Sequence, residues 1–159
     1  MTSDFDLEQF LPYRLSILTN TISQGIAASY RDEFDITVTE WRILAVLGRY
    51  PGLTASEVVD HTAMDKVAIH RAVKSLCAKN MLERKVDASD RRRQSLFITP
   101  DRGQSVLDNI IPRANEFERR LMDVLDSEET RSLNNILDKL HEAADSTARS
   151  SPESTNLSE

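Results

Sequence analysis

Cysteine is almost missing from this 159-residue chain; Cys77 stands alone. No internal disulfide is available, which fits a reducing cytoplasm. Four glycines and five prolines are few for this length, and with abundant Leu, Ile, Ala, Glu and Arg that lack leans the chain towards helix. Long apolar runs are missing too. The longest are a few residues, far short of the roughly 20 that cross a bilayer, so no membrane partner is expected. The opening stretch MTSDFDLEQF is acidic and has no basic-plus-apolar signal region.

The signatures of catalysis are equally scarce. No Gly-rich phosphate loop or nucleophile elbow occurs. His70 and Cys77, on one predicted helix, are separated by about 10 Å of helical rise, too far for a nucleophile and its base. Asp138, His141 and Asp145 have helical spacing, but they lack the dense His/Cys cluster of a zinc site and read as a salt-bridged surface. Neither an enzyme nor a cofactor is expected.

Basic charge is in overall deficit, with 20 Lys and Arg against 26 Asp and Glu and a net charge of −6. Yet residues 61–95 hold nine basic and four acidic residues, leaving eleven and twenty-two for the rest. A basic middle between acidic flanks suits one surface built for a polyanion.

The apolar pattern supplies the architecture. Leu11, Leu15, Leu18, Ile22 and Ile26 share one face of a helix predicted over 7–33. Pro12 is tolerable near its start. Thr37 with Glu40, and Thr54 with Glu57, have capping-box spacing and open two further helices. Asp65 caps a third, over 65–80. Strand-like alternation follows in 82–86 and 95–99, with Leu82, Val86, Leu96 and Ile98 on the inner faces. Thr99-Pro100 opens another helix, in which Pro112 is expected to make a kink. A final helix carries Leu133, Ile136, Leu137 and Leu140. Residues 146–159 read as a disordered tail. The class is mainly α: a winged helix-turn-helix over 37–99, flanked by long helices at 7–33 and 100–145.

On the 65–80 helix, Ile69, Ala72, Val73 and Leu76 form a buried side. Lys66, Val67, His70, Arg71 and Lys74 form the other. Such a face is either a solvated charged surface or a recognition surface for the DNA major groove. In the second case Arg71 reads guanine, Val67 or Ala68 touches a thymine methyl, and Lys66 and Lys74 neutralise phosphates. The stretch DASDRRRQSLFI decides between them. It places Arg91, Arg92 and Arg93 at a hairpin tip beside that helix, within reach of an adjacent minor groove, whose negative potential attracts arginine. Asp87 and Asp90 are there to steady neighbouring guanidinium groups.

The order of elements, the segment TEWRILAVLGRYPGLTASEVVDHTAMDKVAIHRAVKSLCAKNMLERK and the wing DASDRRRQSLFITPDRG resemble the MarR family of bacterial transcription regulators. The resemblance covers residues 7–145. Its most specific pieces are Asp-x-Arg at Asp90 and Arg92, and the close formed by Ile98, Thr99 and Gly103. It implies that Arg92 enters the minor groove and that positions 67, 68, 70 and 71 meet bases. Val67, Ala68 and His70 depart from the small hydroxyl residues usual there. Asn80 replaces a usual glycine, and asparagine also tolerates a left-handed cap. The resemblance further implies a homodimer through the terminal helices, a pseudo-palindromic double-stranded operator, and repression released by a small aromatic acid or its coenzyme A thioester. Within the family, the segments LPYRLSILTN, TEWRILAVLGRYPGL and AMDKVAIHRAV look most like regulators of aromatic-acid catabolism, including the hydroxycinnamoyl-CoA-responsive type. Tyr13, Arg14, Trp41 and Arg42 are then the expected effector contacts, although Trp41 also suits plain core packing. Two other readings use the same fold: a thiol switch at Cys77, and a winged helix that contacts only protein.

Overall fold

In the computed structural model, which describes residues 5–86 and 88–150, the chain forms two compact units that meet in sequence after Phe117. The first holds α1 (Leu11–Ala27), α2 (Arg31–Phe34), α3 (Val38–Arg49), α4 (Ala55–Thr62), α5 (Lys66–Ala78), strands β1 (Leu82–Val86) and β2 (Gln94–Ile98), and the start of α6 (Arg102–Met122). The second holds the end of α6 and α7 (Ser127–Ser150). The protein is therefore mainly helical, with a two-stranded antiparallel hairpin following a helix-turn-helix.

Local chemistry sets the element starts. Thr37 and Glu40 make the reciprocal capping box at α3, and Thr54 and Glu57 make it at α4. Asp65 caps α5 by accepting from the Ala68 N–H at 2.9 Å. Each cap satisfies backbone donors that the first helical turn leaves orphaned. Asp126 and Glu129 exchange the same pair of bonds at α7. The core of the first unit gathers Ile43, Leu44 and Leu47 of α3, Val58 of α4, and Ile69, Val73 and Leu76 of α5. Met81, Leu82, Leu96, Val106, Leu107 and Ile110 complete it.

Several boundaries differ from the sequence expectation. The helix over 7–33 is two helices. The chain tightens through Ser29 N–H to Ile26 O and Tyr30 N–H to Ala27 O, which turns Tyr30 into the core, where it is buried beside Trp41 with ring centroids 6.0 Å apart. The Tyr30 hydroxyl has no hydrogen-bond partner among the described residues. Its burial raises its pKa, against the opposing charges of Arg31 and Arg42. Val86, expected to be inward, is exposed, because the hairpin has run past the core by that point. Helix α6 begins at Arg102, later than the Thr99-Pro100 pair, and Thr99 Oγ1 accepts from the Gly103 N–H at 2.9 Å. Helix α6 continues as a single helix through Pro112. Helix α7 runs to Ser150, so 146–150 are helical rather than tail. Ser146 and Thr147 satisfy their hydroxyls on the carbonyls four residues back. The rest of the expected tail, 151–159, and Asp87 lie outside the described residues.

Two backbone positions fix the hairpin. Gly103 packs so close to the Met81 carbonyl that a Cβ there would overlap it, which accounts for the glycine after Thr99. Gly52, at φ +88°, bends the chain so that its N–H reaches Leu96 O at 2.9 Å while Leu96 N–H reaches Leu53 O at 2.8 Å. The segment before α4 thus grips β2 along its outer edge.

Candidate nucleic-acid interface

Helix α5 buries Ile69, Ala72, Val73 and Leu76 against the core. That packing orients the rest of the helix outward. Lys66, Val67, His70, Arg71 and Lys74 are all exposed, with Val67 at 63%. Ala68 is half-buried and lines a depression with Arg71, Thr37 and Thr39, so it is the least available of the expected base contacts. A valine left mostly in water on a cationic face is the kind of apolar contact that a thymine methyl fills.

Both ends of α5 are tied down. Before it, Ala63 adopts a left-handed conformation (φ +50°) to close the turn from α4. After it, Lys79 reaches the buried carboxylate of Glu40 at 3.1 and 3.2 Å and also donates to the Asp35 carbonyl. Glu40 is only 2% exposed. Burial alone would raise its pKa, but hydrogen bonds from Ser75, the Thr37 N–H and Lys79, with the Lys79 charge, hold it below the usual carboxylate value. Asn80, at φ +56°, then makes the left-handed exit towards β1.

Asp90 orders the wing. Asp90 Oδ1 accepts from the Arg92 backbone N–H at 3.0 Å, and the Asp90 carbonyl accepts from the Arg93 N–H at 2.9 Å. Asp90 therefore fixes the backbone that carries Arg92. Arg93 is committed differently from its neighbours: its Nη2 lies 3.2 Å from both carboxylate oxygens of Glu57 on α4. Glu57 titrates below the usual carboxylate range because the Thr54 N–H and hydroxyl bond it, with Arg93 adding to the effect. Arg93 thus pins the wing to the helix-turn-helix. Arg91 and Arg92 are exposed and form no ion pair among the described residues.

A depression of about 300 Å³ lies between helix and wing. Thr54, Ala55 and Ser56 of the α4 start, His70 and Val73 of α5, and Arg84, Arg92, Gln94 and Leu96 of the hairpin line it. It brings the expected contacts His70 and Arg92 to one place. Arg84, Gln94 and the Arg93–Glu57 bridge were missed from the sequence. For Arg84 a signal existed: Leu82, Arg84 and Val86 share a strand face by period two, and an arginine on that face beyond the core faces the groove.

The four expected effector residues do not come together. Tyr13 and Arg14 line a depression of about 570 Å³ on α1 with Leu11, Leu15, Ile17, Leu18 and Thr21. Trp41 and Arg42 line another, of about 440 Å³, with Thr19, Ala45, Val46, His61 and Thr62. Arg42 meets α1 at Ser23, bonding its hydroxyl at 2.8 Å, and nine residues of helix from Arg14 to Ser23 rise about 13 Å. Cys77 is half-buried against the core cluster. Among the described residues no group of His, Cys, Asp or Glu is placed to hold a metal; His141 and Asp145 approach to 3.8 Å as a surface pair. No described helix is long and apolar enough to cross a membrane.

The profile of the MarR family matches residues 34–93, which contain the helix-turn-helix and most of the wing. No curated protein matches significantly. Among solved structures, a MarR/EmrR family transcriptional regulator from Acinetobacter sp. ADP1 is 26% identical at a TM-score of 0.81, covering 89% of this chain and 99% of its own. BpsR of Bordetella bronchiseptica, a structure concerned with regulation of DNA binding by 6-hydroxynicotinic acid, is 19% identical at 0.75 (87% and 98% covered). MepR of S. aureus, in complex with DNA, is 22% identical at 0.75 (86% and 98% covered).

Proposed function

We propose that this chain, whose residues 34–93 match the MarR-family profile, is a transcription regulator with a DNA-binding winged helix that works as a cytoplasmic homodimeric repressor released by a small aromatic acid or its coenzyme A thioester. The observation that carries the DNA geometry is the joined cationic surface. Helix α5 presents Lys66, His70, Arg71 and Lys74 to a major groove, while the wing presents Arg91 and Arg92 to the neighbouring minor groove. Arginines that repel one another in water are stabilised when each faces phosphate, because condensed counterions are released. Arg93 supports the wing through Glu57 with its Nη2 alone, which leaves its other guanidinium N–H groups for DNA.

The homodimer rests on apolar surface. Leu11, Tyr13, Leu15, Ile17 and Leu18 of α1 are all exposed, as are Ile136, Leu137 and Leu140 of α7. On α1 the residues Leu11, Leu15 and Leu18 share one face, with Tyr13 and Ile17 outside it, and on α7 Ile136, Leu137 and Leu140 share one face; each shared face is an apolar stripe of the kind that marks a protein interface. A two-fold dimer places its recognition helices about 34–36 Å apart, on a pseudo-palindromic site. For the effector, the Trp41–Arg42 depression offers an aromatic wall and a cation suited to a carboxylate. The regulation of BpsR by 6-hydroxynicotinic acid, an aromatic acid, is of the same kind.

Two measurements test this. Duplex affinity of the wild-type protein should fall steeply with salt, and Arg92→Ala should lower both affinity and slope. A panel of aromatic acids and their thioesters, hydroxycinnamoyl-CoA included, should contain a member that raises the melting temperature and frees the operator. A panel without effect discards the effector class and leaves DNA binding standing.

A further inference from the structure

The depression between α5 and the wing contains a cation that neither reading element needs for bases. We propose that Arg84, with His70 and Arg92 beside it, forms a seat for one phosphate of the DNA backbone, the phosphate that passes between the recognition helix and the wing. The inference rests on the DNA-binding reading and adds a residue and a ligand chemistry to it.

Placement comes first. Arg84 pairs across the hairpin with Leu96. Leu96 is buried and doubly hydrogen-bonded to Gly52 and Leu53. Arg84 therefore stands opposite the most firmly held position of the wing, whereas Arg91 and Arg92 ride on its loop. Its guanidinium is tethered as well: Nη1 donates to Gln94 Oε1 at 3.3 Å, which leaves its other N–H groups for a ligand in the depression that it lines. A side chain fixed before binding loses less freedom when it makes a contact.

Electrostatics come second. The lining of the depression includes Arg84, Arg92 and His70 and no carboxylate. Its volume of about 300 Å³ corresponds to roughly ten waters at about 30 Å³ each, so the two arginines repel one another across solvent. A tetrahedral anion relieves that repulsion, and the Ser56 hydroxyl and the α4 N-terminus at Ala55 add neutral donors on the same side. The depression on the opposite flank of α5 is different: Arg71 is its lone cation and the Glu40 carboxylate shares its lining.

Topology chooses the ligand. A major groove and the minor groove next to it are separated by one sugar–phosphate strand. With α5 in the first and the wing tip in the second, that strand crosses the space between them, where Arg84 waits. Base edges do not reach this position, so the contact is to phosphate and insensitive to sequence.

The test uses the full-length protein and two duplexes, one carrying an operator selected from a random pool and one of scrambled sequence. Arg84→Ala should weaken both by a similar factor, roughly tenfold for one charge-assisted bond, and lower the salt slope by roughly 0.9. Arg84→Lys should recover most of the slope, since it keeps the charge. Neutral methylphosphonates placed one at a time along the operator should reveal a position that weakens the wild type and leaves Arg84→Ala unaffected. Unchanged affinity and slope in Arg84→Ala overturn the proposal, as does a loss confined to the selected operator, or a scan in which no position is silenced. A wild-type protein that shows no salt-dependent duplex binding overturns the regulator reading itself, and this seat with it.

Discussion

Helices α1 and α5 are both amphipathic, yet they dispose of their apolar faces in opposite ways. Helix α5 buries Ile69, Val73 and Leu76 completely and turns polar side chains, with Val67 and the terminal Ala78, outward. In the first half of α1 the apolar stripe remains in water, Leu18 at 52% and Leu11 at 44% exposure. The stripe is covered only further along, where Ile22 and Ile26 are half-buried and Ala27 is fully buried. Periodicity marks both faces and does not say what covers them. A helix whose apolar side is satisfied within its own chain has only its polar side to offer, and in the proposed function that side meets DNA. A helix whose apolar side is unsatisfied asks for protein, and the proposed homodimer supplies the same stripe from a second copy of the chain.

The comparison breaks most visibly at α1. Leu15→Glu combined with Leu18→Glu should halve the sedimenting mass, because two carboxylates would be buried at the interface. Operator affinity should fall by about 10²–10⁴, the usual gain from linking two half-site contacts. The winged helix itself should melt nearly as before, since both leucines are exposed. A dimer that persists in this variant would mean that the α1 stripe is covered by something else.

At α5 the corresponding change is Arg71→Ala with Arg92→Ala. It leaves the dimer intact and removes one groove contact from each reading element. Roughly a hundredfold loss on the operator is expected, at about 1–3 kcal/mol per lost base contact, with a shallower salt dependence. Unaltered binding at physiological ionic strength would remove the ground for treating α5 and the wing as one surface.

How α5 is held is sharpened by Glu40→Gln. The change keeps the cap on the Thr37 N–H but leaves Lys79 without its buried partner. The cost should be about 2 kcal/mol, below the roughly 3–5 of a fully buried pair, because the Lys79 side chain keeps a quarter of its surface in water. The sign with pH is fixed. A carboxylate with a lowered folded pKa stabilises the fold above its unfolded value of about 4.3, and that contribution disappears as pH falls through the folded value. The gap between wild type and variant should therefore narrow as pH falls below the unfolded value of about 4.3. A gap that stays constant down to pH 3 would show that the carboxylate's charge contributes nothing.

What the sequence made legible was local. The caps at Thr37, Thr54 and Asp65 are spacings of three residues, and the α5 face follows from 3.6 residues per turn. Both are dictated within a few residues of the chain. The left-handed Asn80 was legible for the same reason. Contacts between distant residues were not. Glu40 and Lys79 are 39 residues apart, Glu57 and Arg93 are 36 apart, and no period connects them. The end of α1 was missed because Tyr30 is drawn inward by Trp41, a tertiary pull that overrides helix continuity. Tyr13 and Arg14 were grouped with Trp41 and Arg42 by chemistry, and the length of α1 separates them.

The smallest effect belongs to the turn that delivers α5. Ala63 sits at φ +50° and ψ +33°, where its Cβ crowds the carbonyl oxygen at a cost of roughly 1–2 kcal/mol. Glycine carries no such penalty but is freer in the unfolded chain, which takes back part of the gain. Ala63→Gly should therefore raise folding stability by about 1 kcal/mol or slightly less, read as a small upward shift of the denaturant midpoint with an unchanged slope. Operator affinity should stay within about twofold, because the direction of α5 is set by its buried side and by Lys79. A stabilised variant with clearly weaker DNA binding would place the alanine among the residues that aim the helix, and would mean that packing against the core is not enough to hold its exposed face to the groove.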